Sequence, residues 1–224
     1  MKLASLFSGG KDSAYAIYKA MKEHEIGCLI SIKSKNPESY MFHTPNIELT
    51  RLQADAIGLP LIVAETEGQK ESELLDLTEA IKKAVELFQI KGVVTGAIES
   101  VYQATRIQKI CDELGLWCFN PLWQINQLEL LDELIENKFE VIISAVAAYP
   151  LDDSWLGKKL DKKTVTELKE LQEKYKINPA GEGGEFESFV LSAPFFKKRI
   201  VVNESSKKFS GNSGVFEIKR AELK

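Results

Sequence analysis

Leu3-Ala4-Ser5-Leu6-Phe7-Ser8-Gly9-Gly10-Lys11-Asp12-Ser13 is the stretch on which the reading of the whole chain turns. A short, mostly apolar run ends in a serine and two glycines, and a helical pattern, Ser13–Lys22, follows. The order is strand, tight loop, helix. In an open α/β sheet such a loop lies at the C-terminal end of a strand, where ligands bind. Two glycines permit positive φ, so that successive N–H groups can converge on one concavity. The helix adds its first free N–H groups and the positive end of its dipole, which favour an anion. Ser8 and Ser13 contribute hydroxyls and Lys11 a cation, and together they form a phosphate site. Asp12 opposes phosphate unless Mg²⁺ bridges the two or the carboxylate braces the loop by accepting backbone N–H bonds. The loop is neither a Walker A sequence, because Gly10-Lys11 runs into Asp12 without the upstream glycine, nor G-x-G-x-x-G.

Working outward, apolar runs alternate with helical patterns. Candidate strands are Leu3–Phe7, Cys28–Ile32, Leu61–Ala64, Val93–Ile98 and Val141–Ala147, each nearly continuous in apolar character, as in a sheet covered on both faces. Candidate helices are Ser13–Lys22, Ile47–Ile57, Ser72–Gln89 and Tyr102–Leu114. In the third of these Leu74, Leu77, Ile81, Ala84, Val85 and Phe88 recur at helical spacing. Gly58 and Gly115 stand where helices terminate. The alternation predicts an α/β fold, an open parallel sheet with helices on both faces. Beyond about Pro121 the pattern changes to a helix at Gln124–Glu136, the strand at Val141–Ala147, a Lys-rich helix at Asp161–Tyr175 and a Gly/Glu loop at Gly181–Ser188. A hairpin of Ile200–Val202 and Val215–Ile218 follows, around the turn at Ser210–Gly214. We therefore expect a nucleotide-binding domain over 1–122 and a smaller C-terminal α+β domain over 123–224 that binds substrate. No linker separates them, so the two parts should pack together.

Composition narrows the class. The chain has 224 residues, 44% hydrophobic and 28% charged, as in a globular protein. A formal net charge of -4 supplies no general electrostatic case for nucleic acid. Cys28, Cys111 and Cys118 are odd in number and lack C-x-x-C spacing, which argues against a disulfide framework or a cysteine zinc site and for buried small hydrophobes. The apolar N-terminal run meets Gly9-Gly10 too early for a signal peptide or a membrane span, so a cytoplasmic protein without a membrane partner is expected. Trp117, Phe119 and Trp123 read as core or domain-junction packing.

Two further constellations carry chemistry. Gly96-Ala97-Ile98-Glu99-Ser100-Val101-Tyr102-Gln103-Ala104-Thr105-Arg106 runs from the end of the fourth strand into a helix, so it should face the same crevice. Gln103 and Arg106 share a helix face, and Arg106 suits either a phosphate or carboxylate of the ligand or a surface ion pair. Gly181-Glu182-Gly183-Gly184-Glu185-Phe186-Glu187-Ser188 packs three carboxylates among three glycines, which fits a cation site or a solvated acidic loop. His43, between Phe42 and Thr44-Pro45, lies not far beyond the second strand and is read either as a binding residue or as a structural one.

Ser-Gly-Gly-x-Asp-Ser after a first strand resembles the PP-motif of the N-type ATP pyrophosphatases, which adenylate an oxygen of their substrate and release pyrophosphate. Ser8–Ser13, Met41–Asn46, Gly96–Arg106 and Gly181–Ser188 together resemble the diphthine–ammonia ligases, over nearly the whole chain. Val101 and Ala104 stand where that family tends to have an acidic and a basic residue. The resemblance implies ATP, Mg²⁺ and ammonia, with elongation factor 2 in its diphthine form as protein substrate, and it leaves a homodimer open. It also implies ATP binding by Ser8, Gly9, Gly10, Lys11, Asp12 and Ser13, with Lys11 and Asp12 catalytic and Asp12 on the metal. Substrate contacts would fall to His43, Gly96, Ser100, Tyr102, Gln103, Arg106, Glu182, Gly183, Gly184, Glu185 and Glu187. Diphthine carries a quaternary ammonium, so acidic or aromatic surface from the Gly/Glu loop and Tyr102 would suit it. A PP-loop enzyme that modifies tRNA and a non-catalytic nucleotide-binding module are the alternatives.

Overall fold

The computed structural model describes residues 1–36, 46–69 and 72–224. His43 and the rest of Met41–Pro45 fall outside these residues. The chain opens with β1 (Lys2–Leu6), α1 (Lys11–Ala20), β2 (Glu25–Ser34), a 3-10 turn at Ile47–Leu49, α2 (Thr50–Ile57) and β3 (Leu61–Thr66). It continues through α3 (Ser72–Phe88), β4 (Gly92–Val94), α4 (Val101–Glu113) and β5 (Trp117–Phe119). The first sheet is parallel throughout, in the order β3-β2-β1-β4-β5. The winding reverses between β1 and β4, so the ends of these two strands open a crevice at the switch point.

Both faces of this sheet are covered. On one, Ala4, Cys28, Ile30, Ile62 and Val93 pack against Leu77, Ile81 and Ala84 of α3 and Ile107, Ile110 and Cys111 of α4. Leu77 and Ile81 are fully buried, each contributing roughly 1.5–3 kcal/mol by leaving water. On the other face Leu3, Leu29 and Val94 pack against Ala14, Tyr15, Ile17 and Ala20 of α1.

The second half contains α5 (Gln127–Glu136), β6 (Glu140–Val146), a 3-10 turn at Asp153–Trp155, α6 (Lys162–Tyr175), β7 (Phe186–Ser192), β8 (Ile200–Ser210) and β9 (Ser213–Leu223). Its sheet is antiparallel, ordered β7-β6-β9-β8. Leu130, Leu134, Val141, Ile143, Phe186 and Val190 belong to the same core as α1, so the two sheets share one apolar interior. Polar ties reinforce the junction: Tyr15 Oη donates to Glu133 Oε2, Tyr18 Oη to Asn137 Oδ1 at 2.8 Å, and Lys19 pairs with Glu133 at 2.7 Å.

The α/β expectation holds, with local corrections. β4 spans three residues, not Val93–Ile98, because Thr95–Ser100 leave the sheet as a loop. Helix α5 begins at Gln127 rather than Gln124, where Asn126 caps it by accepting from the N–H groups of Leu128 and Glu129. Trp117–Phe119 is an edge strand, and of the three aromatics expected in packing only Phe119 lies against the core, while Trp117 and Trp123 are exposed. β7 occupies the last residues of what reads as the Gly181–Ser188 loop, and the arms of the final hairpin run to 11 residues each.

Candidate active site

Helix α1 starts two residues earlier than its apolar pattern, so Lys11, Asp12 and Ser13 form its first turn. Gly10 at the N-cap is extended and supplies no side-chain cap, which leaves this helix end suited to an anion. Gly9 is left-handed at φ +82, and an added Cβ would lie 2.2 Å from Gln53 Oε1, so only glycine fits. The hydroxyls knit the turn: Ser13 Oγ donates to Gly10 O at 3.1 Å, while Ser8 N–H donates to Ser13 Oγ at 3.3 Å.

The loop is pinned from two other elements. Gln53 of α2 is fully buried and donates through Nε2 to Gly9 O at 2.9 Å and Val190 O at 2.8 Å. Val190 N–H donates to the same Gly9 carbonyl at 3.0 Å, and Lys11 N–H donates to Ser188 Oγ at 3.0 Å. β7 therefore braces the Ser8–Ser13 loop directly. Neither Gln53 nor Ser188 was singled out by sequence reasoning. For Gln53 a signal existed: Thr50, Gln53, Ala54 and Ile57 make one buried helical stripe, in which a glutamine needs partners.

The fourth-strand segment closes on the loop from the other side. A Cβ built on Gly96 would lie 2.8 Å from both the Asp12 carbonyl carbon and Ser13 N, so these backbones approach as only glycine allows. Thr95 Oγ1 donates to Asn120 Oδ1 at 2.5 Å and accepts from Ala97 N–H at 3.2 Å, which fixes the exit from β4. Ser100 is spent as the α4 N-cap, accepting from Gln103 N–H at 3.3 Å. Tyr102, Gln103 and Arg106 follow on the first turns, half-buried, with the Arg106 guanidinium stacked 3.4 Å from the Tyr102 ring centroid. One face of Tyr102 is thus already covered by a cation.

The electrostatic centre is Lys11, only 3% exposed, with Nζ 2.8 Å from Asp12 Oδ2 and 5.4 Å from the Phe186 ring. Asp12 Oδ1 is buried and has no hydrogen-bond partner among the described residues. Glu182 and Glu187 reach this pair through space. Desolvation, then the nearby Asp12 charge, pushes the Glu182 carboxyl up to about 7 against the pull of Lys11 and of a Glu99 backbone hydrogen bond. Glu187 keeps an exposed face to water yet lies among protein groups, and desolvation raises its carboxyl to about 7 as well, with Lys11 opposing and Asp12 adding.

The three loop glutamates separate in role. Glu185, 7% exposed, turns into its own loop and accepts from Asn178 N–H at 2.7 Å, Asn178 Nδ2 at 2.8 Å and Gly183 N–H at 2.8 Å. Its placement is that of a loop brace, not of the substrate contact expected from sequence. Gly183 and Gly184 form the exposed tip. Gly184 is left-handed at φ +80, and its N–H donates to Gly181 O at 3.0 Å. Gln127 ties this loop to the β4 segment, donating to Glu99 Oε1 at 3.3 Å and Asn178 Oδ1 at 3.2 Å.

Residues 1–118 match the family model of the diphthamide synthase N-terminal domain, and residues 126–223 match that of its C-terminal domain. The chain belongs to the diphthamide synthase family. The diphthine–ammonia ligase of Rattus norvegicus is 39% identical over 225 residues, covering 92% of this chain and 84% of that one. The protein of the same description from Homo sapiens is 37% identical, with the same coverage. That from Schizosaccharomyces pombe is 34% identical over 91% of this chain but only 36% of its own length. A solved structure described as a predicted subunit of tRNA methyltransferase from Methanocaldococcus jannaschii aligns with a TM-score of 0.44 at 16% identity over 87% of this chain and 98% of that one, too slight a likeness to bear on function. In this diphthamide synthase fold the two matched regions meet at the crevice, α1 from the first and β7 from the second.

The raised carboxyls have a measurable consequence. Each is lifted from an ordinary 4.5 to about 7, so between those values the folded protein holds protons that the unfolded chain has released. Their contribution to stability therefore falls as pH rises through that window. A Glu187→Gln variant should show a smaller decline in Tm than the parent between about pH 5 and about pH 8. Parallel Tm–pH curves for parent and variant would contradict the assignment.

Proposed function

We propose that this chain is an ATP-dependent, AMP-forming amide ligase that converts the carboxylate of diphthine on elongation factor 2 to diphthamide with ammonia. The observation that carries the reading is the meeting, in one crevice, of a helix N-terminus whose N-cap residue is a glycine and which bears Lys11 and Asp12 with the acidic pair Glu182 and Glu187. The first suits a triphosphate and the second a quaternary ammonium next to the reacting carboxylate. Membership of the diphthamide synthase family, and relatives described as diphthine–ammonia ligases, support it.

In this reading residues 1–122 bind the nucleotide and residues 123–224 the acceptor. The Ser8–Ser13 amides and hydroxyls cradle the β- and γ-phosphates, and Lys11 exchanges its contact with Asp12 for a phosphate oxygen. As the acceptor carboxylate attacks the α-phosphorus, Lys11 and the helix N-terminus stabilise charge on the departing pyrophosphate. Asp12 would hold Mg²⁺, for which its unpartnered buried Oδ1 fits, since this ion takes one or two carboxylates together with phosphates. That ion would neutralise phosphate charge. Glu182 and Glu187 attract the acceptor's cation, which favours their ionised forms, so acceptor binding releases protons. Ammonia then displaces AMP to form the amide. Because elongation factor 2 works in the cytoplasm, the reading also places the enzyme there; among the described residues no helix is long and apolar enough to cross a membrane.

The test uses ¹⁵N-ammonium with ATP, Mg²⁺ and elongation factor 2 bearing diphthine. The labelled nitrogen should appear on the modified histidine, strictly dependent on ATP and on this protein. An unchanged factor with tRNA modified instead would overturn the assignment.

A further inference from the structure

Gln53 stands in α2 with no exposure to solvent, and its amide is used from one end. Nε2 donates to Gly9 O at 2.9 Å and to Val190 O at 2.8 Å. Oε1 is buried and has no hydrogen-bond partner among the described residues; it lies against Gly9, 2.2 Å from where a Cβ would stand. Two carbonyl oxygens call for two N–H groups, which fixes the orientation of the amide. A buried glutamine whose oxygen is left unpartnered is held in place for its donors.

The carbonyl that it holds belongs to a peptide with a glycine on each side. Gly9 has φ +82 and Gly10 has φ -80. In a trans peptide the C=O and the N–H that follows it point in opposite directions. Gly9 O is turned toward α2 and β7, where Gln53 Nε2 and Val190 N–H, the latter at 3.0 Å, both donate to it. Gly10 N–H is therefore turned the other way, toward Ser8 Oγ at 3.4 Å, on the side of the paired Ser8 and Ser13 hydroxyls. Half a turn of this peptide would exchange the two and put a carbonyl oxygen where the N–H stands. Such a rotation changes ψ of Gly9 and φ of Gly10, and a Cβ at Gly10 would resist it where glycine does not. The freedom that lets the loop form thus leaves this peptide easy to turn over.

Resting on the reading of Ser8–Ser13 as the seat of the ATP phosphates, we propose that Gln53 is a positioning residue for phosphate recognition: it locks the Gly9–Gly10 peptide with its N–H toward the phosphates and its carbonyl toward the core. An N–H donated to a phosphate oxygen is a charge-assisted bond. A carbonyl in its place sets one negative charge against another. Without the glutamine donor, Val190 N–H alone holds the Gly9 oxygen.

The experiment measures dissociation constants of ATP and of AMP, each with Mg²⁺, for the parent and for Gln53→Met, whose side chain has the same length and no donor. The loop holds the β- and γ-phosphates, so AMP reports the rest of the site. ATP affinity should fall roughly 10- to 100-fold in the variant, with AMP affinity within about twofold of the parent. A general loosening of the fold weakens both nucleotides alike, and that result, or an unchanged ratio of the two affinities, overturns the proposal. The parent supplies a second measurement that decides the matter even where the variant folds poorly. In protein labelled with ¹⁵N-glycine, the Gly10 amide proton should move downfield on addition of ATP and stay in place with AMP. No movement with ATP, or equal movement with both, overturns the proposal. A parent that binds ATP no more tightly than AMP would remove the phosphate reading of the loop and this proposal with it. Neither measurement involves the acceptor protein or amide formation.

Discussion

Asp12→Asn should lower ATP-dependent pyrophosphate release on the order of 100-fold while leaving a folded protein. The substitution keeps an oxygen for Lys11 Nζ, which lies 2.8 Å from Asp12 Oδ2, but removes the charge that makes the unpartnered Oδ1 a metal ligand. Loss of one preorganised electrostatic element at a charge-developing centre costs this order of magnitude in turnover. Asp12→Ala is the harsher change, because it strands a lysine that is 3% exposed and adds about 1–3 kcal/mol of destabilisation to the loss of activity. Turnover by a folded Asp12→Asn protein within about twofold of the parent would remove Asp12 from the mechanism. Thermal melts alongside the kinetics separate the two effects.

The second large effect distinguishes two glutamates only two positions apart. Glu187→Gln should leave ATP binding nearly unchanged and lower kcat/KM for the acceptor protein on the order of 10- to 100-fold, as expected when a carboxylate facing a desolvated cation is neutralised. Glu185→Gln should act through stability. Its carboxylate accepts three hydrogen bonds within the loop, and an amide offers a single oxygen to those donors. Each donor left facing the amide nitrogen costs about 1–3 kcal/mol, so Tm should fall first, with ATP and acceptor use declining together as the loop loosens. A Glu187→Gln enzyme with unaltered acceptor kinetics, or a Glu185→Gln enzyme with parental Tm and a selective acceptor defect, would reverse the assigned roles.

What the sequence discloses follows from the physics of each segment. The Ser8–Ser13 loop is legible because glycine, hydroxyl and charge are concentrated between a strand and a helix, and local chemistry alone prescribes that turn. The parallel sheet is legible because strands buried on both faces, such as Glu25–Ser34 with its continuous interior, must be apolar throughout. β7 is not, because Glu187 and Ser188 interrupt its apolar run, and their reasons are tertiary: Ser188 meets the Lys11 amide and Glu187 the Lys11 charge. β5 is missed because three residues at a sheet edge carry no periodicity. Gln53 stands on a legible apolar stripe of its helix, but its role is not legible because its partners, Gly9 and Val190, lie far away along the chain. Glu185 is hidden for a different reason, since its partners, Asn178 and Gly183, lie close along the chain. Composition shows three glutamates in one loop, and only the backbone path, turning at Gly181 and Gly184, decides which one faces inward.

Identifying the nucleotide products tests the central claim most directly. The protein is incubated with ATP carrying label in the α- and γ-phosphates, together with Mg²⁺, ammonium and elongation factor 2 bearing diphthine, and the products are separated. The account predicts AMP and pyrophosphate in equal amounts, matched one to one by amide formed on the factor and lost together in Asp12→Asn. ADP with inorganic phosphate would place cleavage between the β- and γ-phosphates and contradict it.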